Sequence, residues 1–225
     1  EAGNPSLALE SLSRMQGFDT SASHTAYVDA VNTLKILRII KSKHKENWET
    51  FLKTSTKQSV ETILKSDGIY SIFENVKGRN MMYLVSTLHP NQCFHPSYKT
   101  WGYLWDLRRD PEPLLDLSVN QLKDALKKFS PKCLRVLKTN KAPVVLDKAF
   151  ALKQKPYSDL DLETIKKRAY LVRNSENFCK NIETINRELA LEKEQTQSQE
   201  DLLPEETLYK KYVPNKDTAL FKSWH

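Results

Sequence analysis

The stretch Ser23-His24-Thr25-Ala26-Tyr27-Val28-Asp29 places the pattern His-x-Ala-x-x-Asp at the mouth of an amphipathic segment. A carboxylate near a helix start can hold a divalent cation, and a histidine just before it can take a proton from water. On an ideal helix two side chains five positions apart diverge by about 140°. His24 is therefore expected on a loop or a distorted first turn, swung back toward Asp29. Three fixed positions of this kind recur by chance in roughly 2% of chains of this length. The bland account makes His24 a loop residue, Asp29 a solvated acid favoured by the helix dipole, and Ala26 a packing position. The rest of the chain decides between the two.

The 225 residues carry a net charge of +7 and are 39% hydrophobic, enough to bury a core in one large or two modest domains. The positive charge is spread, with Lys41, Lys43 and Lys45 together and Lys127, Lys128, Lys132, Arg135, Lys138 and Lys141 through the middle. A basic surface of this kind draws polyanions by releasing their counterions, although basic runs are also ordinary solvated faces. Cys93, Cys133 and Cys179 are widely separated and lack C-x-x-C spacing, so they read as reduced thiols of a cytoplasmic protein. No apolar run is long enough to cross a bilayer as a helix, and no membrane partner is expected. With no initiator methionine and a helical pattern still running at Trp224-His225, the chain reads as an internal piece of a longer protein.

Apolar spacing predicts a helix within 5–17 ended by Gly17, and a second over 27–40 with Val28, Val31 and Leu34 on one face and Leu37 beside it. That face would pack on a sheet that these residues do not supply. A third helical stretch, 45–64, is interrupted by the polar segment 54–58. From Gly68 the pattern changes to short strands over 69–73, 81–88, 100–107, 134–139 and 143–146, separated by turn signals. Ser118 with Gln121 three residues on is a capping box opening a helix lined by Val119, Leu122, Leu126 and Phe129. Helices resume after Ser158, the polar stretch 195–200 reads as a linker, and 205–212 and 217–224 read as the start of another helical domain. Several short strands with an inserted helix point to a small β-barrel.

Read in order, the chain resembles the bacterial exonuclease I family, single-strand-specific 3′→5′ DNA exonucleases of the DEDDh class. The resemblance runs from Pro5-Ser6, Leu9-Glu10 and Gly17 through His24, Ala26 and Asp29. It continues through Leu88-His89-Pro90, Asp106-Leu107, Pro113-Leu114-Leu115-Asp116-Leu117, Asn140-Lys141-Ala142-Pro143-Val144 and Arg173-Asn174 to Leu208-Tyr209. It implies an α+β chain in three parts. Residues 1–44 would be the C-terminal helices of an RNase H-like exonuclease domain, 45–190 an SH3-like barrel domain with inserted and flanking helices, and 191–225 a linker and the start of a C-terminal helical domain.

The family's chemistry uses two Mg²⁺ ions held by four acidic residues, with a histidine activating the attacking water. The resemblance assigns His24 as general base and Asp29 as the last acidic metal ligand. It assigns Lys57, Arg135, Asn140 and Lys141 to single-stranded DNA, and Lys153 and Arg173 to a pocket for the acidic C-terminal tail of single-stranded-DNA-binding protein. The parent protein is expected to be a monomer working in DNA repair and recombination.

Two departures accompany the match. No D-x-E motif precedes His24, and Asp161-Leu162-Glu163, which fits that motif, lies in an expected helix start where acids are common. Where the family can carry an arginine before Leu9-Glu10, this chain has Ala8. One carboxylate cannot hold a metal pair, so the piece alone is expected to be inactive.

Other clusters read as structure: His89, Cys93 and His95 fit no common zinc spacing, and Trp101, Tyr103 and Trp105 alternate as strand residues of a core more readily than as a stacking platform. Two rivals remain, a non-catalytic SH3-like module that binds nucleic acid or an acidic peptide, and a related exonuclease acting on RNA or short oligonucleotides.

Overall fold

The computed structural model describes residue 6 and residues 8–66, 68–76 and 79–199. It is α+β. Helix α1 (Leu9–Met15) stops where Gly17 takes a left-handed φ of 71°, and α2 (Ala26–Lys43) follows a loop of eight or so turn residues. The interrupted helical stretch divides at its polar segment into α3 (Lys45–Lys53) and α4 (Lys57–Lys65), because the Thr56 hydroxyl accepts the Ser59 N–H and restarts the helix.

The strands β1 (Ile69–Val76), β2 (Arg79–Thr87), β3 (Trp101–Asp106), β4 (Leu134–Lys138) and β5 (Val145–Asp147) pair antiparallel in the order β4-β3-β2-β1-β5. All five strands expected from the sequence are present. They make an open sheet in place of a closed barrel. The chain leaves β4 through a short 3₁₀ turn, Thr139–Lys141, and a left-handed Ala142, and β5 is three residues long and pairs only with β1 among the described residues. No ladder therefore joins the two edges among those residues.

The two faces of the sheet carry separate cores. One face buries Leu84, Tyr103 and Trp105 beneath α5 (Val119–Lys128), α7 (Leu162–Asn174) and α8 (Glu176–Gln199), with Leu122, Ile165 and Ile182 fully buried. Trp105 meets Phe178 edge to face at 5.5 Å and donates its indole N–H to the Arg109 carbonyl at 2.9 Å. Fully burying side chains of this size stabilises by about 1.5–3 kcal/mol each.

On the opposite face Val60 and Leu64 of α4 pack on Ile72, Val85, Leu104 and Leu137. Gly102 makes that approach possible, since a Cβ there would stand 2.5 Å from Leu64 Cδ1. The short helix α6 (Lys148–Leu152) follows β5 directly, its first turn capped by Asp147, which accepts the Ala149 N–H at 2.8 Å.

The Ser118–Gln121 capping box forms as the sequence predicts, with both reciprocal bonds made. The polar stretch read as a linker is helical through Gln199, because Glu, Gln and Lys are good helix formers whatever their polarity. The segments 205–212 and 217–224 lie outside the described residues. Among the described residues no helix is long and apolar enough to cross a membrane.

Candidate functional site

The corner between α1 and α2 is held by local bonds. Asn32, 4% exposed, donates its amide to the Asp19 carbonyl at 3.1 Å, and Asp19 accepts the Ser21 N–H at 2.8 Å, which lowers its carboxyl pKa. Turn bonds from Ser23 N–H to the Thr20 carbonyl and from Thr25 N–H to the Ala22 carbonyl bring the chain to His24. His24 takes a left-handed φ of 73°, uncommon for a residue with a side chain. That conformation turns its N–H toward Asp29, whose Oδ1 lies 3.4 Å away.

His24 is thus on the loop, and its backbone faces Asp29 while its ring is exposed. Its Nε2 stands 3.8 Å from Glu10 Oε2, and Glu10 also accepts from Arg14. Glu10 is a neighbour that the sequence reading did not single out as a site residue. It belongs to the Leu9-Glu10 pair that carries part of the resemblance and lies in the first turn of α1.

Asp29 supplies one carboxylate, one oxygen of which faces the His24 N–H. Among the described residues no group of three His, Cys, Asp or Glu side chains is placed to hold a metal ion. The residues present therefore do not by themselves fit a metal pair. Asp161-Leu162-Glu163 is the start of α7: Asp161 caps it by accepting the Thr164 N–H at 2.7 Å, and Glu163 pairs with Lys166 at 2.7 Å.

A second cluster forms where α4 begins. Lys57 Nζ lies 3.5 Å from Glu61 Oε1, and that oxygen accepts from the Thr139 hydroxyl at 3.3 Å. Thr139 in turn opens the 3₁₀ turn that presents Asn140 and Lys141 to solvent, and its N–H is fixed to the Thr100 carbonyl at 2.8 Å. Glu61 thus brings Lys57, Asn140 and Lys141, far apart in sequence, onto one exposed basic face. Lys138 lies on the other face of the sheet, with Val136, its ammonium 4.7 Å from the centre of the Trp101 ring. Tyr103 and Trp105, at 1% and 0% exposure, are core.

Arg135 departs from its expected place. Its guanidinium is buried, ion-paired to Glu74 and within 4.0 Å of Asp106 Oδ2, and it lies over the Tyr83 ring. It faces the α4 side of the sheet with Leu104 and is closed to a nucleic-acid strand; strand alternation put it on the inner face beside two carboxylates from other strands.

Arg173 and Lys153 also separate. Arg173, 8% exposed, donates to the Ser66 carbonyl at 3.1 Å and to the Thr87 hydroxyl. It borders a groove of about 710 Å³ that also holds Lys148, Lys166, Tyr70 and Tyr170. Lys153 is exposed at the end of α6 and is not among the residues lining that groove. Lys148 and Lys166 are the basic groups that sequence reading missed, since only the packing of β5 and α7 places them beside Arg173.

No protein-family model matches the sequence, and a search of curated proteins finds no match. Solved structures do match. Exonuclease I from Methylocaldum szegediense aligns over 98% of this chain and 46% of its own, with a TM-score of 0.69 and 19% identity. E. coli exonuclease I in complex with a dA16 oligonucleotide aligns over 99% of this chain and 48% of its own, with a TM-score of 0.64 and 18% identity. A complex of exonuclease I with SSB-Ct aligns over 83% of this chain and 42% of its own, with a TM-score of 0.59 and 16% identity. The chain spans about half the length of these structures, and what it shares with them is the fold of that half of exonuclease I.

Proposed function

We propose that this chain is part of a 3′→5′ exonuclease that removes mononucleotides from single-stranded DNA in repair and recombination, in the cytoplasm. The observation that carries the reading is that the exonuclease I fold extends over 98% of the chain and includes a His-x-Ala-x-x-Asp corner at a helix start. In this reading His24, exposed on its loop, takes the proton of the attacking water, and Asp29 contributes one ligand to a pair of Mg²⁺ ions. The other acidic ligands are not among the described residues, so the piece alone is inactive. The division into 1–44, 45–190 and 191–225 follows the same reading, with a monomeric parent.

The basic face of Lys57, Asn140 and Lys141 would track the phosphates of the strand. The groove beside Arg173, with its two lysines and two tyrosines, suits the acidic tail of single-stranded-DNA-binding protein.

A rival reading, a non-catalytic module binding nucleic acid or an acidic peptide, draws on the single carboxylate at the corner. Degradation of a 5′-labelled single-stranded oligonucleotide by the full-length parent protein separates the two. The nuclease reading expects Mg²⁺-dependent release of mononucleotides that nearly vanishes in His24→Ala and in Asp29→Ala. Absence of degradation by the parent leaves the binding module, and full rates in both variants remove His24 and Asp29 from the catalytic set.

A further inference from the structure

We propose that the open edge of β4, with the apolar groove beside it, is a docking site for an extended acidic segment of a partner protein, which adds to the sheet as a further strand. The site lies at the opposite edge of the sheet from the Arg173 groove, which is bordered by Tyr70 of β1 and Asp147 of β5. It does not depend on the nuclease reading.

The main chain supplies the first part of the site. β4 is an edge strand, paired to β3 through Gly102↔Leu137 and Leu104↔Arg135. Bonds from Asp106 N–H to the Cys133 carbonyl and from Thr139 N–H to the Thr100 carbonyl show that the odd-numbered residues face β3. Antiparallel pairing alternates inward and outward groups, so the N–H and C=O of Val136 and the N–H of Lys138 point away from the sheet. No described residue bonds them. An exposed row of this kind is a template for another strand.

The side chains supply the second part. Leu134 and Val136 face a groove of about 300 Å³ whose other walls are Leu126 of α5 and Ile185 and Leu189 of α8. Val136 and Leu189 are each 38% exposed. A strand laid along β4 would put alternate side chains into this groove, where apolar ones are favoured.

Charge selects the occupant. Lys127 and Lys132 stand at the rim and Lys138 follows along the strand. Among the described residues Lys127 is paired only with Asp124, in an exposed contact at 3.2 Å, and neither Lys132 nor Lys138 has a carboxylate at ion-pair distance. Two copies meeting edge to edge would crowd these lysines together, the arrangement by which edge strands resist self-association. The same lysines attract a strand that carries Asp or Glu at groove-side positions flanking its apolar ones.

The test uses the isotopically labelled full chain and a blocked extended heptapeptide whose central groove-side positions are valine or leucine and whose flanking positions are aspartate or glutamate, followed by amide exchange and chemical shift. The expected result is saturable binding with slowed exchange at Val136 and Lys138, and preference over a peptide carrying lysine at the acidic positions. Val136→Pro removes an outward donor, and Leu189→Asp spoils the wall; each is expected to weaken binding at least about tenfold. Lys132→Glu, a surface change that leaves the fold intact, is expected to weaken it in the same direction.

Absence of saturable binding, equal binding of the lysine peptide, or undiminished binding by both folded Val136→Pro and Lys132→Glu overturns the proposal. So does protection of the same amides by concentration-dependent dimerisation, or displacement of the peptide by oligothymidylate.

Discussion

The guanidinium of Arg135 lies with its central carbon 3.2 Å from the centroid of the Tyr83 ring, so a residue in the middle of a basic stretch is bound into the protein. Its Nη1 pairs with Glu74, whose carboxyl is pushed above its usual range by burial despite that arginine. Arg135→Ala leaves Glu74 and Asp106 without this partner and is expected to cost about 3 kcal/mol of stability. Urea unfolding measures the loss. Affinity of the folded variant for a single-stranded oligonucleotide should be nearly unchanged, whereas Lys141→Ala should lower affinity and reduce its salt dependence.

His24 holds a left-handed backbone conformation that glycine adopts freely. His24→Gly removes the imidazole and relieves the φ constraint together. Its stability is expected to stay within about 0.5 kcal/mol of the parent or to rise, while turnover in the full-length nuclease falls as far as in His24→Ala. A marked loss of stability instead would show the ring to be structural.

His95 is 5% exposed, and its Nδ1 accepts the N–H groups of Ser97 at 3.0 Å and Tyr98 at 3.1 Å. Burial lowers its pKa, with Lys193 acting in the same direction. A group depressed on folding contributes stability that is fully present above its ordinary value, about 6.5, and is lost as pH falls through the folded value. Thermal unfolding followed from pH 7.5 downward should therefore show a loss of stability below about 6.5 that is reduced in His95→Asn, whose amide oxygen can still accept from the main chain.

Asp161 accepts the Thr164 N–H and hydroxyl, and these bonds lower its carboxyl pKa. Asp161→Ala should cost about 1 kcal/mol as a lost helix cap and leave the nuclease rate of the parent unchanged. A collapse of turnover in a folded Asp161→Ala protein would instead place Asp161-Leu162-Glu163 in the catalytic set.

The sequence by itself determined what is local. Gly17 had to end α1 because the chain needs a left-handed residue there, Ser118 and Gln121 had to open α5 because their bonds span three residues, and the strands declared themselves by their period and turns. The loop position of His24 followed from helical geometry once His24 and Asp29 were read as one motif.

Tertiary structure decided the rest. Whether five strands close or stay open depends on the two edges, β4 and β5, which share no residue in any local pattern. Arg135 was captured by Glu74, sixty-one positions away, and Lys57 was joined to Asn140 and Lys141 through the bond from Thr139 to Glu61, seventy-eight positions apart. Lys148 and Lys166 stand beside Arg173 because α6 and α7 pack on the same end of the sheet, while Lys153, one turn further on, does not. Caps and turns are satisfied within a few residues and so are written in order along the chain. Partners for a buried charge, and neighbours on a surface, come from whichever segments folding brings together.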